Sequence, residues 1–410
     1  MGRRRVLYAV DFIVVSISLT LYFLVRRAYS IRHDSLIGFD DGNSVNFGFS
    51  DWPPLKVYVY PNVSRHTTEC LYPKELPTRY IDEKGFWFQR MLEPTVHHQL
   101  LSSPLYTDNK SEANLFFIPH YSRMCSGLDN GERWAEIPSL LKESGDFFSR
   151  YSKVDHIIMH SVPQYGDKPA DRAVTRSQDP IILILDFKWS ELRKSPWTFA
   201  KSAVVPFITH LSQFNESKYR KHSVFVAMST KKLAAGSAQL RVELEEYLKK
   251  VPKSKIVKIN RMSLQSFQEA LDSLPENMRA SDFCIIPPGD APSSKRIYDA
   301  ISHLCIPIIV SDHITLPFDG SFIDYSKILI QVPSKNLSSL SSIIKNKKLS
   351  EISYLRRNLR RAKKMFTWDY KSPPKVGESL SSIAWSLYYK YKMIEPYLNN
   401  EMTGNDNDPN

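Results

Sequence analysis

The stretch from Asp282 to Leu316 is the part of this chain that most constrains its fold. An apolar run ends at Ile286 and is stopped by two prolines and a glycine, at positions 287–289. A second apolar run, Ile306 to Val310, is rich in β-branched residues, as is typical of a buried parallel strand. Between the two runs, apolar residues recur at the i, i+3, i+4, i+7 spacing of a helix with one buried face: Ile297, Ala300, Ile301 and Leu304. The pattern predicts one right-handed β-α-β crossover.

A ligand-binding site is expected at the N-terminus of the crossover helix, just past the carboxyl end of the first strand. Backbone N–H groups and the positive end of the helix dipole suit a phosphate or pyrophosphate there. Either Ser293 or Ser294 can cap the helix, and both hydroxyls add donors. Arg296 can bind two phosphate oxygens, and Asp299, one turn further along, can accept the two hydroxyls of a ribose.

A plainer interpretation treats Arg296, Asp299 and His303 as one solvated helix face. The Gly-Asp-Ala-Pro-Ser-Ser entry, which begins at Gly289, favours the ligand instead, because a plain crossover does not need such a loop.

The block PPGDAPSSKRIYDAISHLCIPIIVSDHITLPFDG resembles the signature of the exostosin-type glycosyltransferases, glycosyltransferase family 47, and most closely their plant cell-wall members. The resemblance extends over residues 51–392. Further matching segments are KVYVYP (56–61), EANLFFIP (112–119), ILILDF (182–187) and SAVVPFI (202–208). The last two look most like the arabinosyltransferase-like and glucuronoxylan glucuronosyltransferase-like groups.

The resemblance implies an α/β fold of two facing Rossmann-like lobes, the GT-B type, with a nucleotide-sugar donor bound mainly by the C-terminal lobe. It implies inverting transfer, UDP-sugars as donors, a cell-wall acceptor such as pectin or hemicellulose, and a location in the Golgi apparatus. Hetero-complexes with other glycosyltransferases are compatible with it. An inactive glycan-binding or scaffolding member of such a complex is the alternative.

Length and composition allow two domains of ordinary size, because 410 residues with 42% hydrophobic content can bury a large core. The net charge of +12 does not indicate nucleic-acid binding, since no basic stripe is interleaved with aromatic residues. One basic stretch, Lys345 to Lys364, predicts either a solvated helix face or a contact for an anionic polysaccharide.

The segment from Val6 to Val25 is apolar and long enough to cross a bilayer. An uncleaved signal anchor is favoured over a cleaved signal peptide, because arginines crowd the Ala28-Tyr29-Ser30 site. The predicted domains are a cytoplasmic stub with the anchor (1–27), a flexible stem (28–51), an N-terminal acceptor lobe (52–215), a C-terminal nucleotide-sugar lobe with a return helix (216–400) and a polar tail (401–410).

Four glycosylation sequons follow the anchor and favour a lumenal body, which makes the protein type II: Asn62, Asn109, Asn215 and Asn336. Cys284 and Cys305 bracket the crossover helix, so a disulfide between them and a pair of free thiols both remain open, as does the pairing of Cys70 and Cys125.

Apolar runs alternate with amphipathic segments along both lobes, which predicts parallel, doubly wound sheets. Predicted strands are 57–59, 115–118, 157–159 and 181–185 in the first lobe, and 224–227 and 256–257 before the crossover in the second. Predicted helices of the second lobe are 239–250 and 264–274, and 378–391 is a late helix that returns to the first lobe.

Inverting transfer needs a general base, expected at a carboxyl strand end of the first lobe. Three residues fit this position, with Asp186 preferred over His160 and His120. Asp155 and His156 enter a strand and are interpreted as structural.

Asp312 follows the strand Ile306 to Val310 and is expected either to face the transferred sugar or to cap the turn at 315–317. No essential metal is expected, since the one Asp-x-Asp, Asp406 to Asp408, lies in the polar tail. The helix N-terminus and Arg296 then perform the electrostatic work of the metal.

Overall fold

The computed structural model describes residues 49–61, 91–119, 154–161, 180–186, 201–209, 219–229, 237–259, 269–289, 292–312, 314–318, 322–369 and 372–403. Several sequence predictions lie outside these ranges: the anchor Val6 to Val25, the sequons at Asn62 and Asn215, Cys70, Cys125, His120 and residues 404–410 of the predicted tail. Within them, no helix combines the length and apolar character needed to cross a bilayer.

A six-stranded parallel sheet forms the first lobe, in the order β2-β1-β3-β4-β5-β6. Its strands are β1 (Val57–Val59), β2 (Tyr106–Thr107), β3 (Leu115–Ile118), β4 (His156–His160), β5 (Ile181–Ile184) and β6 (Ala203–Val204). Helix α1 (Leu92–Leu101) connects β1 and β2. Strands β3, β4 and β5 are buried along their whole length, as parallel strands covered on both faces should be.

A five-stranded parallel sheet forms the second lobe, in the order β11-β10-β9-β7-β8. Its strands are β7 (His222–Met228), β8 (Ser254–Lys258), β9 (Ser281–Ile286), β10 (Ile306–Val310) and β11 (Ile330–Val332). Its helices are α2 (Ser237–Lys249), α3 (Leu274–Arg279), α4 (Lys295–Ser302), α5 (Leu340–Asn346) and α6 (Leu349–Ala362).

In both sheets the second strand pairs on one side of the first strand and the third on the other, so the strand order reverses between β1 and β3 in the first lobe and between β7 and β9 in the second. In open parallel sheets, such reversal points open a crevice at the carboxyl ends of the strands. The prediction of two α/β lobes with parallel sheets is therefore confirmed.

The crossover predicted from the opening stretch is strand β9, helix α4 and strand β10. The predicted apolar face of α4 is buried, with Ile297, Ala300 and Ile301 inaccessible to solvent. A disulfide joins Cys284 in β9 to Cys305, the residue before β10. The hydrophobic core of the second lobe thus surrounds the element expected to hold a ligand.

The last helix, α7 (Ser379–Thr403), returns to the first lobe, as the sequence suggested. The indole N–H of Trp385 donates to the carbonyl of Asp51 at 2.9 Å, and its ring stacks on Phe49 with centroids 4.4 Å apart. Asp369, which lies between α6 and α7, accepts a hydrogen bond from Gln99 of α1 at 2.7 Å through its carbonyl. These contacts fasten the C-terminal part of the chain to the beginning of the first lobe.

Candidate functional site

The loop between β9 and α4 presents two serines in different roles. Ser294 is the N-cap residue of α4, because its backbone is extended and its hydroxyl accepts from the N–H of Arg296 at 3.4 Å. Ser293 is buried, at 4% exposure, and its hydroxyl has no hydrogen-bond partner in the described part of the chain. A buried hydroxyl without a partner is costly unless a ligand or water pairs with it. The donor role predicted for Ser293 suits that hydroxyl.

The first turns of α4 carry three charges. Lys295 and Asp299 form an ion pair at 2.6 Å, so one oxygen of the Asp299 carboxylate is already engaged. Arg296 is partly buried; burial lowers the pKa of its guanidinium, and the nearby Asp299 carboxylate partly offsets that shift. A cation that has lost part of its hydration in this way interacts strongly with an anionic ligand.

His303, at the C-terminal end of α4, is not on a solvated face. Its side chain is only 7% exposed, and its Nδ1 lies 2.7 Å from the carbonyl of Asp299. The solvated-face interpretation is therefore wrong for His303, whereas Arg296 and Asp299 retain partial exposure.

Arg241 of α2 clamps the reversal point of the second sheet, a role that the sequence analysis missed. Its Nε and Nη2 donate to the carbonyl of Pro288 at 3.2 and 2.6 Å, and its Nη1 donates to the carbonyl of Ser229 at 2.9 Å. Pro288 follows β9 and Ser229 follows β7, so one buried guanidinium joins both strand ends. The Gly289 loop starts from this fixed point.

Asp186 reaches the same loop from the first lobe. It follows β5 and is 1% exposed, and its Oδ2 accepts from the backbone N–H of Ser293 at 2.8 Å. The nearby Tyr298 is also buried, and its hydroxyl has no hydrogen-bond partner among the described residues. Burial and, secondly, the Asp186 carboxylate raise the pKa of Tyr298 well above its ordinary value. The structure thus brings Asp186 and the predicted donor residues together across the lobe boundary.

The other polar residues around β4 are also buried. His160 is the last residue of β4 and is 1% exposed. The next residue, Ser161, donates through its N–H (3.1 Å) and hydroxyl (2.8 Å) to Glu93, a buried carboxylate of α1 that the sequence did not single out. Glu93 therefore fixes the chain where it leaves β4.

The Asp155–His156 pair begins a buried hydrogen-bond chain at the start of β4. The carboxylate of Asp155 lies 2.8 Å from Nδ1 of His156, whose Nε2 lies 2.9 Å from the hydroxyl of Tyr60. The His156 ring also stacks on Phe116. These fully buried contacts agree with the structural interpretation of the pair.

Asp312 links the segment after β10 to the segment after β11. Its carboxylate accepts from the backbone N–H of Ser334 at 2.7 Å and from the Ser334 hydroxyl. Ser334 starts a 3₁₀ turn directly after β11, so Asp312 ties the ends of two neighbouring strands together.

Two ion pairs of the basic helix α6 are defined, one between Glu351 and Lys347 at 2.9 Å and one that reaches β9. Nη2 of Arg356 lies 2.6 Å from Asp282, which stands at the amino end of β9, whereas the loop between β9 and α4 leaves the carboxyl end. No group of three or more His, Cys, Asp or Glu side chains in the described ranges could hold a metal ion.

Fold and site together define a two-lobed α/β protein in which the carboxyl ends of the two parallel sheets meet at the contact between Asp186 and Ser293. The Exostosin GT47 domain model matches residues 51–347. The chain therefore belongs to the exostosin GT47 family of glycosyltransferases.

Among plant relatives, a probable arabinosyltransferase, ARAD1, of Arabidopsis thaliana is 26% identical over 307 residues, which cover 70% of this chain and 64% of the relative. A probable glucuronoxylan glucuronosyltransferase of that plant is 23% identical, with 82% of this chain and 73% of the relative covered. A probable β-1,4-xylosyltransferase, IRX10L, also from Arabidopsis, is 24% identical, with 71% and 70% covered. The chain thus spans somewhat less than two thirds of the first of these proteins.

Proposed function

We propose that this protein transfers a sugar from a nucleotide-sugar, with UDP-sugars as the first choice, to a cell-wall polysaccharide such as pectin or hemicellulose. Family membership supports the reaction class, and the plant relatives support the acceptor class. The observation that carries the proposal is the meeting of Asp186 with the Ser293 loop. In this contact a carboxylate of one lobe lies beside the start of α4 in the other, the helix end to which we assign the donor diphosphate.

The donor diphosphate would lie at the start of α4. Arg296 supplies positive charge and a two-pronged donor, and the Ser293 hydroxyl supplies a donor that has no other described partner. As the sugar leaves, charge grows on the diphosphate, and fixed donors aimed at that charge stabilise the transition state. No essential metal is part of this proposal.

The proposed transfer inverts the sugar carbon in one displacement. The acceptor oxygen forms the new bond to the anomeric carbon while the bond from that carbon to the phosphate oxygen breaks. The nucleoside diphosphate leaves with the electron pair, and the proton of the acceptor hydroxyl passes to a general base. Asp186 is the first choice for this base, because its carboxylate lies next to the donor loop. His160 and His120 are the alternatives.

A Golgi location with a lumenal body completes the proposal. It rests on the apolar segment Val6 to Val25 and on the sequons downstream of it. Of the four sequon asparagines, Asn109 and Asn336 lie in described ranges, and both are exposed.

Nucleotide release by the full chain, purified from a eukaryotic host, tests the proposal. A panel of UDP-sugars is offered with and without candidate pectin and hemicellulose oligosaccharides. The expected result is acceptor-dependent release of UDP from one donor or a few related donors. An inactive scaffolding protein would bind an oligosaccharide but release no UDP with any pair, and that result would exclude catalysis.

A further inference from the structure

Helix α4 touches both lobes, and its contacts with the first lobe lie along one side. The backbone N–H of Ser293 donates to Asp186, the ring of Tyr298 lies 5.7 Å from that of Phe207, and the hydroxyls of Ser302 and Thr209 are 3.3 Å apart. We refer to Ser293, Tyr298 and Ser302 as the docking side of α4. The adjacent side of the helix, with Ile297 and Ile301, is also buried.

The contact of Ser293 with Asp186 differs from the other two in kind. The acceptor is a carboxylate, and hydrogen bonds to charged acceptors are shorter and stronger than neutral ones. Both residues are buried, so little water can replace the bond if it breaks. The partners are 107 residues apart in the chain, so the second lobe by itself does not provide this acceptor.

The loop between β9 and α4, which we call the donor loop, is thereby held at both ends. Arg241 fixes Pro288 where the loop leaves β9, and Asp186 fixes Ser293 where the loop enters α4. The first anchor belongs to the second lobe, whereas the second anchor belongs to the first lobe. The conformation of the loop therefore depends on how the two lobes meet.

We propose that Asp186 is a positioning residue for the donor site, which acts across the lobe boundary through the backbone of Ser293. The donor half of the enzyme is complete only when the first lobe is in place. The proposal rests on the proposed function, because it assigns the donor to this loop, but it concerns a separate duty of Asp186. Positioning needs an acceptor oxygen, whereas proton removal needs a basic carboxylate.

Two substitutions separate these duties. Asp186→Asn keeps an oxygen that can accept from Ser293, so the loop should stay in place. Asp186→Ala removes the acceptor and should release the loop. Thr209→Val is the matched control, because it removes the other hydrogen bond on the docking side while leaving the donor loop untouched.

The experiment measures two quantities on the purified full chain: amide hydrogen exchange of the peptide that contains Ser293 and Arg296, and the dissociation constant of UDP by calorimetry. In Asp186→Ala, exchange in this peptide should accelerate at least tenfold, because a lost hydrogen bond exposes the amide. The UDP dissociation constant should rise about tenfold. In Asp186→Asn and Thr209→Val, both quantities should stay within about twofold of the parent.

Parent-like exchange and parent-like UDP affinity in Asp186→Ala would overturn the proposal, as would an Asp186→Asn variant as impaired as Asp186→Ala. If exchange is faster in Asp186→Ala but the parent does not bind UDP, Asp186 still positions the loop, and the proposed UDP-sugar donor is wrong. If Asp186→Ala does not fold, Asp186→Ser makes the same comparison, since its hydroxyl is too short to reach Ser293.

Discussion

The guanidinium of Arg241 holds the carbonyl of Pro288 with two of its nitrogens, Nε at 3.2 Å and Nη2 at 2.6 Å. A third nitrogen holds the carbonyl of Ser229. One buried side chain thus connects the strand ends that form the crevice of the second lobe, and the donor loop begins where this connection is made.

Arg241→Lys tests this connection. Lysine keeps the charge but cannot hold both carbonyls with the same fork, so buried carbonyls lose their partners. We expect the free energy of unfolding to fall by about 2 kcal/mol and UDP binding to weaken about tenfold. Urea denaturation and calorimetry measure the two effects. Arg357→Lys, at an exposed position of α6, is the control and should change neither. Parent-like stability of Arg241→Lys would show that the clamp is dispensable.

Asp186→Asn tests the general base. The amide keeps the size of the side chain and an acceptor oxygen but cannot take the proton of the acceptor hydroxyl. Turnover with the best donor and acceptor should fall by about 10²–10⁴-fold, while the UDP dissociation constant stays near that of the parent. Steady-state kinetics separate kcat from KM. A turnover within a few-fold of the parent would move the base to His160 or His120.

His97 of α1 should make stability depend on pH. Burial, and secondly the charge of His98, lower the pKa of His97 from 6.5 to about 4. The unfolded chain therefore binds a proton at a pH where the folded chain does not. The stability linked to the neutral ring is fully present above pH 6.5 and is lost as the pH falls from 6.5 towards about 4.

In the parent, lowering the pH from neutral to about 5 should reduce the free energy of unfolding by roughly 2 kcal/mol through His97. In His97→Gln this part of the loss should be absent. Urea denaturation at the two pH values measures this difference. His98→Gln, the exposed neighbour on the same helix, is the control and should retain most of the acid sensitivity of the parent, because burial is the larger cause of the lowered pKa of His97 and the charge of His98 the smaller one. An unchanged pH dependence in His97→Gln would place the sensitivity elsewhere, for example at His303, whose pKa is also lowered by burial.

A lumenal body predicts N-glycans at exposed sequons. Expression in a eukaryotic host followed by glycosidase treatment should shift the gel band. Asn109→Gln and Ser111→Ala both destroy one sequon, so each should remove the same single step from the untreated band. A parent band that does not shift, together with a body that protease digests from the cytosolic side, would contradict the proposed orientation.

The fold was predictable where burial leaves a strong pattern. The strands Leu115–Ile118 and Ile306–Val310 were predicted with the bounds that the structure has, because a parallel strand covered on both faces is an uninterrupted apolar run. Strands β2 and β11 are too short to show a period and were missed. The predicted helix 264–274 corresponds in its described part to residues 269–272, and α3 starts only at Leu274.

The sequence predicts where the site residues lie along the strands, but not which residues they contact. The strand-end rule placed Asp186 and Asp312 correctly at carboxyl ends, yet it could not reveal that Ser293 and Ser334 bind them. Arg241 carried no signal, because a single arginine on an amphipathic helix is ordinarily solvated. Here carbonyls 12 residues before it and 47 residues after it surround the guanidinium.

The most direct test is a calorimetric titration of UDP into the parent and into Arg296→Ala, both in excess chelator. The parent should bind UDP without a metal, since Arg296 and the start of α4 neutralise the diphosphate. The variant should bind about 30- to 100-fold more weakly, the worth of a charge-assisted hydrogen-bond pair at roughly 2–3 kcal/mol. Arg356→Ala, which removes the arginine paired with Asp282, should bind like the parent. UDP binding that requires added metal, or that is equal in Arg296→Ala and the parent, would contradict the assignment of the donor to this loop.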